Sequence, residues 1–230
     1  MIISAPSYSI FFGDRPCEVA PDNVRAKVLE GRDLSVPIER IIFQHQVHGT
    51  TGNIVLHATL PTLEKSLTHD GDYLITALNG IGIGVLTADC LPIALADPVN
   101  RVVAIVHAGW RGTVGGIVCN VLADLQKNFG TNPRDLLVYY GPCAHTCCYH
   151  VDEPFLAQLP DWARSAVIER DGRRYFDLCG ANALMLESCG VRSERIDCSS
   201  SSCTICNENF CSYRRNPGIT TRQMSIIWLH

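Results

Sequence analysis

The sequence predicts a layered α/β fold, a mixed sheet flanked by helices and distinct from a Rossmann sheet. Three observations carry that expectation: a close succession of short β-branched runs between residues 41 and 106, one long amphipathic helical stretch after them, and a second helical stretch followed by a strand-like carboxyl end. Strands that follow one another too closely for helical crossovers must pair antiparallel in part, which a doubly wound parallel sheet does not allow.

The runs at 41–44, 53–57, 73–76, 82–86, 93–96 and 102–106 are bounded by turn residues and read as strands. Val114, Ile117, Val118, Val121, Leu122, Leu125 and Phe129 then follow the i, i+3, i+4, i+7 spacing of one buried helical face, with Thr113 placed to cap the start and Gly130 to end it. A second helix is expected from Asp177 or Leu178 through Ala181, Leu184, Met185 and Leu186 to Gly190. A strand around Ile196 and a final one at 223–229 complete the pattern.

With 230 residues, 47% of them hydrophobic, the chain can bury one substantial core, and a single domain over 1–230 is expected. Nineteen Lys and Arg against 23 Asp and Glu give a formal charge of -4, so no positive field is available for a polyphosphate backbone and nucleic acid is not an expected partner. No window reaches the roughly 18 uncharged apolar residues of a membrane span. No basic leader precedes an apolar run at the start, where Asp14 and Arg15 interrupt the hydrophobic stretch. The expectation is a cytoplasmic protein away from membranes, a monomer or small homo-oligomer, with its 12 cysteines reduced.

Three segments place a metal-competent side chain at a strand end: QVHG at 46–49, TADCLP at 87–92 and VHAGWRG at 106–112. Neutral imidazole and thiolate are the ligands zinc prefers, and three protein ligands leave the fourth tetrahedral position open. His48, Cys90 and His107 are therefore the candidate ligands, with zinc expected and copper compatible with the same set. His107 stands before a Gly-rich helix start whose N–H groups can receive an anion, and Arg111 adds a fixed positive charge. Asp89, beside Cys90, is a candidate for orienting a ligand or exchanging protons, although neighbours on an extended segment point to opposite faces. Gln46 shares a strand face with His48 and is a pocket candidate, while His45 points away. Cys198, Cys203, Cys206 and Cys211 have C-x4-C-x2-C-x4-C spacing, whose first three members match the opening of a plant-type iron–sulfur pattern; ordinary thiols are the alternative.

QVHG at 46–49, DGDYLIT at 70–76, TADCLPIALAD at 87–97, HAGWRGT at 107–113, GPC with CCYHV at 147–151, CT at 203–204 and SYRR at 212–215 together closely resemble the laccase-domain family, also called multicopper polyphenol oxidase or YfiH-type. The resemblance runs from near residue 40 to the end of the chain. It implies one zinc on His48, Cys90 and His107. It also implies phosphorolysis of adenosine, inosine or methylthioadenosine, with adenosine deamination as a further activity. Purine nucleoside and phosphate are then the partners, and Arg111, or Arg214 and Arg215 beside Tyr213, would hold phosphate; Tyr149 and Phe176 are candidates to flank the purine, with ordinary core packing as the alternative. Family members carry a Ser-Thr-Arg segment and a Gly-Gly-Val-Ser turn near the start, where this chain reads FFGDRPCEVAPDN at 11–23 and Arg15 keeps the place of the family's arginine. The same resemblance leaves two other activities open, hydrolytic editing of a cell-wall precursor and copper-dependent phenol oxidation. The latter fits less well, because the 8 histidines supply no His-x-His in the metal segments.

Overall fold

The structure is a computed structural model that describes residues 1–15, 18–19, 36–57 and 69–230. The chain lays down β1 (Ile2–Ser4), β2 (Tyr8–Phe12), β3 (Glu18–Val19), β4 (Ile41–Ile42), β5 (Gly52–Val55), β6 (Tyr73–Thr76), β7 (Gly82–Thr87), β8 (Leu91–Asp97) and β9 (Val102–Ala108). Then follow α1 (Trp110–Val114), α2 (Ile117–Phe129), β10 (Leu137–Tyr140), β11 (His150–Val151), α3 (Glu153–Leu156) and α4 (Asp161–Arg164). The order closes with β12 (Val167–Arg170), β13 (Arg173–Phe176), α5 (Leu178–Ser188), β14 (Ile196–Asp197) and β15 (Arg222–Leu229).

One sheet has the order β1-β2-β15-β7-β4 with β3 also on β15, a second the order β14-β10-β8-β9-β6-β5, and a small third one the order β11-β13-β12. Parallel pairing of β4 with β7, β5 with β6 and β10 with β14 sits among antiparallel neighbours, so the sheets are mixed, as the strand spacing predicts. The period-two rule explains the layering. In β8 and β9, Ile93, Leu95, Ala104 and Val106 face Ile117, Val118, Val121, Leu122 and Leu125 of α2. The intervening Ala94, Ala96, Val103 and Ile105 face Ile10, Ile83, Val85 and Ile227 of the first sheet. Covered on both sides, these strands are apolar except at His107 near the end of β9 and at Asp97, which turns the chain by accepting the N–H groups of Val99 and Asn100. No described helix is long and apolar enough to cross a membrane.

Two expectations need correction. The predicted helix after residue 113 is two helices, because Gly115 ends α1 and Gly116, at φ 84°, starts α2 from the left-handed region. Thr113 is accordingly no cap: it lies buried inside α1, where its hydroxyl accepts an N–H from Asn182 of α5. Gly130 does end α2, at φ 70°, and the Asp177 carboxylate caps α5 by accepting the N–H of Gly180. The reduced-thiol expectation fails at Cys119 and Cys189, which form a disulfide where α2 meets the end of α5, with Cα atoms 6.2 Å apart. Nine other described cysteines are free.

Gly116→Ala forces a side chain into the left-handed region, although nothing nearer than Met185 Cε at 3.7 Å would meet the new methyl. The cost is then backbone strain alone, about 1–2 kcal/mol. Urea unfolding should show a lower midpoint at unchanged slope; an unaltered midpoint would mean the break between α1 and α2 does not depend on glycine.

Candidate metal centre and its cavity

Asp72, just before β6, is fully buried. Its carboxylate accepts the backbone N–H groups of Val47 at 3.3 Å, His48 at 3.0 Å and Gly49 at 2.7 Å, and the Nδ1–H of His107 at 2.8 Å. Burial alone would raise its pKa, but the hydrogen bonds from His107, Gly49 and His48 hold it below the usual carboxylate range. Three successive N–H groups can converge on one carboxylate only over a tight turn, and His48 accordingly sits at φ 60°. With Nδ1 engaged by Asp72, Nε2 is the ring nitrogen of His107 left to serve a metal, which takes it once the ring has given up its second proton.

Cys90 follows Asp89, which at φ 90° makes the sharp corner between β7 and β8. Burial pushes the Cys90 thiol up, but His107 and His48 draw it down to about 6; against burial, Cys90 and Asp72 raise His107 to about 9. The His48 and His107 rings meet edge to face with centroids 4.8 Å apart. The ligand atoms of His48, Cys90 and His107 all lie within 4.8 Å of one another. Bonds of about 2.0–2.3 Å put the donors of a tetrahedral zinc about 3.3–3.8 Å apart, so small adjustments suffice to close this set on one ion. Gly109 makes room for it: a Cβ there would lie 3.0 Å from Cys90 Sγ and 3.3 Å from His48 Cδ2. His107 is buried and His48 exposed, so the cluster opens on one side.

That side is a cavity of about 740 Å³, a volume suited to a small organic ligand. Besides the three candidate ligands, Gln46, Asp89, Tyr149, Tyr213, Arg214 and Arg222 line it. Gln46 is anchored at both ends of its amide, donating to the carbonyl and accepting the N–H of Leu86, each at 2.8 Å. The Asp89 carboxylate accepts the Thr204 hydroxyl at 2.7 Å and the Arg214 backbone N–H at 2.6 Å, fastening the later loops against the corner before Cys90. The Arg214 guanidinium lies 5.1 Å from the centre of the Tyr149 ring and donates to the His150 carbonyl.

Other singled-out residues stand elsewhere. Arg111 is exposed and stacks on Trp110 at 4.5 Å, outside the cavity lining. Arg215 directs its guanidinium to the carbonyls of Thr204, Ile205, Asn207 and Phe210. Arg15 donates its N–H to the Asn209 carbonyl and does not line the cavity; much of the divergent 11–23 segment lies outside the described residues. Phe176 is a core residue packed on Phe155. His45, expected to point away, pairs with Asp70 at 2.8 Å and reaches the cavity rim. The iron–sulfur grouping is not formed: Cys198 is exposed and apart, and Cys211 is buried with its N–H on Gln223. Cys203 and Cys206 meet Cys147 and Cys148 instead. Sequence reasoning missed Asp72 and Arg222, although Asp72 stands inside DGDYLIT, where two acidic residues so close to an apolar strand were a usable signal.

The sequence profile described as multi-copper polyphenol oxidoreductase laccase matches residues 7–230. The chain belongs to this laccase family. It is similar to the purine nucleoside phosphorylase of Deinococcus radiodurans, 37% identical over 190 residues that make 80% of this chain and 68% of that protein. It is also similar to purine nucleoside phosphorylase YlmD of Geobacillus stearothermophilus, 33% identical over 216 residues, 84% of this chain and 74% of that protein. The crystal structure of the Bacillus licheniformis hypothetical protein YfiH superposes with a TM-score of 0.75 at 30% identity, covering 85% of this chain and 76% of that one. A YfiH-type fold, with mixed sheets and few helices, is thus shared.

In this laccase-family chain Asp72 orients one candidate ligand and fixes the loop of another. Asp72→Asn should weaken zinc binding about 10- to 100-fold in a chelator competition, because the amide accepts fewer of the four N–H groups and can turn a donor on them. Zinc affinity equal to the parent's would show that the carboxylate has no part in the metal site.

Proposed function

We propose that this chain is a zinc-dependent purine nucleoside phosphorylase. The observation that carries the proposal is the convergence of His48, Cys90 and His107 on a cavity that Tyr149, Arg214 and Arg222 also wall. The names of the Deinococcus and Geobacillus relatives support it. Zinc held by His48, Cys90 and His107 would supply a Lewis acid able to polarise a bound oxygen or lower the pKa of a bound water. In phosphorolysis a phosphate oxygen bonds to the anomeric carbon while the N-glycosidic bond breaks, its electron pair leaving with the purine, which takes up a proton. The chain's own residues supply position and charge for this. Arg214 and Arg222 offer cationic donors to the phosphate, and Tyr149 offers a ring face to the base. Asp89, by gripping Thr204 and the Arg214 backbone, keeps that wall at a fixed distance from Cys90. Adenosine, inosine and methylthioadenosine are the proposed substrates, with adenosine deamination as a side activity. The reaction is placed in the cytoplasm, in one domain over 1–230 that works as a monomer or small homo-oligomer.

The family's description speaks of copper and laccase, but among the described residues each metal-competent group holds at most two histidines, too few for a histidine-rich trinuclear copper cluster.

Chromatography of adenosine and inosine incubations should show free base only when phosphate is present, and His107→Ala should lower that release about 100-fold or more. Absence of base release together with hydrolysis of a cell-wall precursor would replace this reading with the editing one. Copper-dependent phenol oxidation without base release would replace it with the oxidase one.

A further inference from the structure

We infer that Cys147, Cys148, Cys203 and Cys206 form a second metal site, a mononuclear tetrathiolate centre for zinc that shares no residue with the His48, Cys90 and His107 group. The four sulfurs come from two turns far apart in sequence. Cys147 and Cys148 lie in the turn before β11, where the N–H groups of Cys148 and Tyr149 both reach the His145 carbonyl. In an extended strand neighbouring side chains diverge, but on this turn both sulfurs face the same point. Cys203 and Cys206 are the ends of a C-x2-C turn, closed by the Asn207 N–H on the Cys203 carbonyl. The two turns are joined by backbone: Cys143 donates to the Ser202 carbonyl and Thr204 donates to that of Cys143.

Geometry selects the occupant. All four Sγ atoms lie within 4.8 Å of one another, and Cys147 and Cys206 stand 3.9 Å apart. Zinc–sulfur bonds of about 2.3 Å set the edges of a tetrahedral thiolate cage at about 3.8 Å, which the Cys147–Cys206 pair already matches, and small adjustments close the remaining sulfurs on one ion. A cluster of several iron atoms would hold its thiolates on separate metals and spread them further. The surroundings suit thiolates. The backbone N–H groups of Cys206, His145 and Ile205 point to the Cys203 sulfur. Arg170 donates to the carbonyls of Thr146 and Cys147, and Arg215 to those of Thr204 and Ile205, so each turn has a guanidinium beside it to offset the negative charge of four thiolates. Cys203 is buried while Cys147 and Cys206 are exposed, which leaves an ion a route in from solvent.

The site would act as a staple. Tyr149 follows Cys148 directly and Thr204 follows Cys203, and these two supply a cavity wall and the hydroxyl on Asp89. An ion on the four sulfurs thus fixes the wall without touching the reacting atoms.

The inference stands whether or not the proposed activity is found, and its test reads metal rather than turnover. The full chain, purified with a reductant and supplemented with zinc, should hold two zinc ions, and Cys147→Ser with Cys206→Ser should remove one of them. In His107→Ala, X-ray absorption at the zinc edge should show the remaining ion with four sulfur neighbours at about 2.3 Å. Should the double variant fail to fold, cobalt(II) titration of the unaltered chain decides, with a second equivalent bringing intense thiolate-to-cobalt charge transfer and tetrahedral visible bands. Full zinc retention in the folded double variant, a nitrogen- or oxygen-rich shell in His107→Ala, a disulfide within the four under reducing conditions, or no second cobalt equivalent would each overturn it.

Discussion

The buried carboxylate of Asp72 is the constraint on which the site depends. A charge taken out of water must find its hydrogen bonds within the protein, and each N–H left unpaired there costs about 1–3 kcal/mol. Asp72 meets the requirement with the N–H groups of residues 47–49 and the ring of His107. Those bonds hold the turn at His48 in a left-handed conformation that an ordinary residue adopts only under compulsion. They also tie the turn to β9, because the His107 N–H returns to the Asp72 carbonyl at 2.7 Å. Two candidate ligands from segments almost sixty residues apart thus share one anchor, and neither can shift without breaking the other's bond.

Asp89 does for the cavity what Asp72 does for the metal-competent cluster. It also stands in the left-handed region, and its carboxylate reaches across to Thr204 and Arg214. Because Asp89 directly precedes Cys90, the wall formed by the late loops is referenced to the thiol by a single peptide unit. Gln46 repeats the device from another side by pairing its amide with both backbone groups of Leu86, as a neighbouring strand would. Polar groups lock the loops while the apolar strands beneath supply a rigid floor.

Strand and candidate-ligand positions were legible because each rests on a local pattern. Short β-branched runs bounded by turn residues located β6 to β9, and an imidazole or thiol beside a turn singled out His48, Cys90 and His107 as candidates. What was illegible depends on pairing at a distance. β12 is partly buried at one residue and exposed at the other three, so it carries no buried face for periodicity to reveal. Thr113 looks like a cap until Gly115 and Gly116 are weighed as a break, and its real partner, Asn182, is sixty-nine residues away. The cysteine spacing was misleading for the same reason. Cys198 and Cys211 flank the C-x2-C turn in sequence, but a cage is chosen by convergence of sulfurs, and the backbone bridge between Cys143 and Cys203 brings in Cys147 and Cys148 instead.

The acid excess of the whole chain does not oppose binding of an anionic phosphate, because exposed charges are screened over about 8–10 Å and a cavity responds to what lines it. The arginines divide by role accordingly. Arg215 gives its guanidinium to four backbone carbonyls and so braces the loop, and Arg111 is laid flat on Trp110 outside the cavity. Arg214 and Arg222 line the cavity, each with one guanidinium nitrogen fixed to backbone carbonyls: Arg214 to His150, Arg222 to Ile219 and Thr221. A guanidinium carries five donors, so this anchoring orients the cation while leaving further N–H groups to meet a ligand. Net charge therefore governs which polyanions the surface repels, and the two anchored side chains set the local positive charge that the cavity presents.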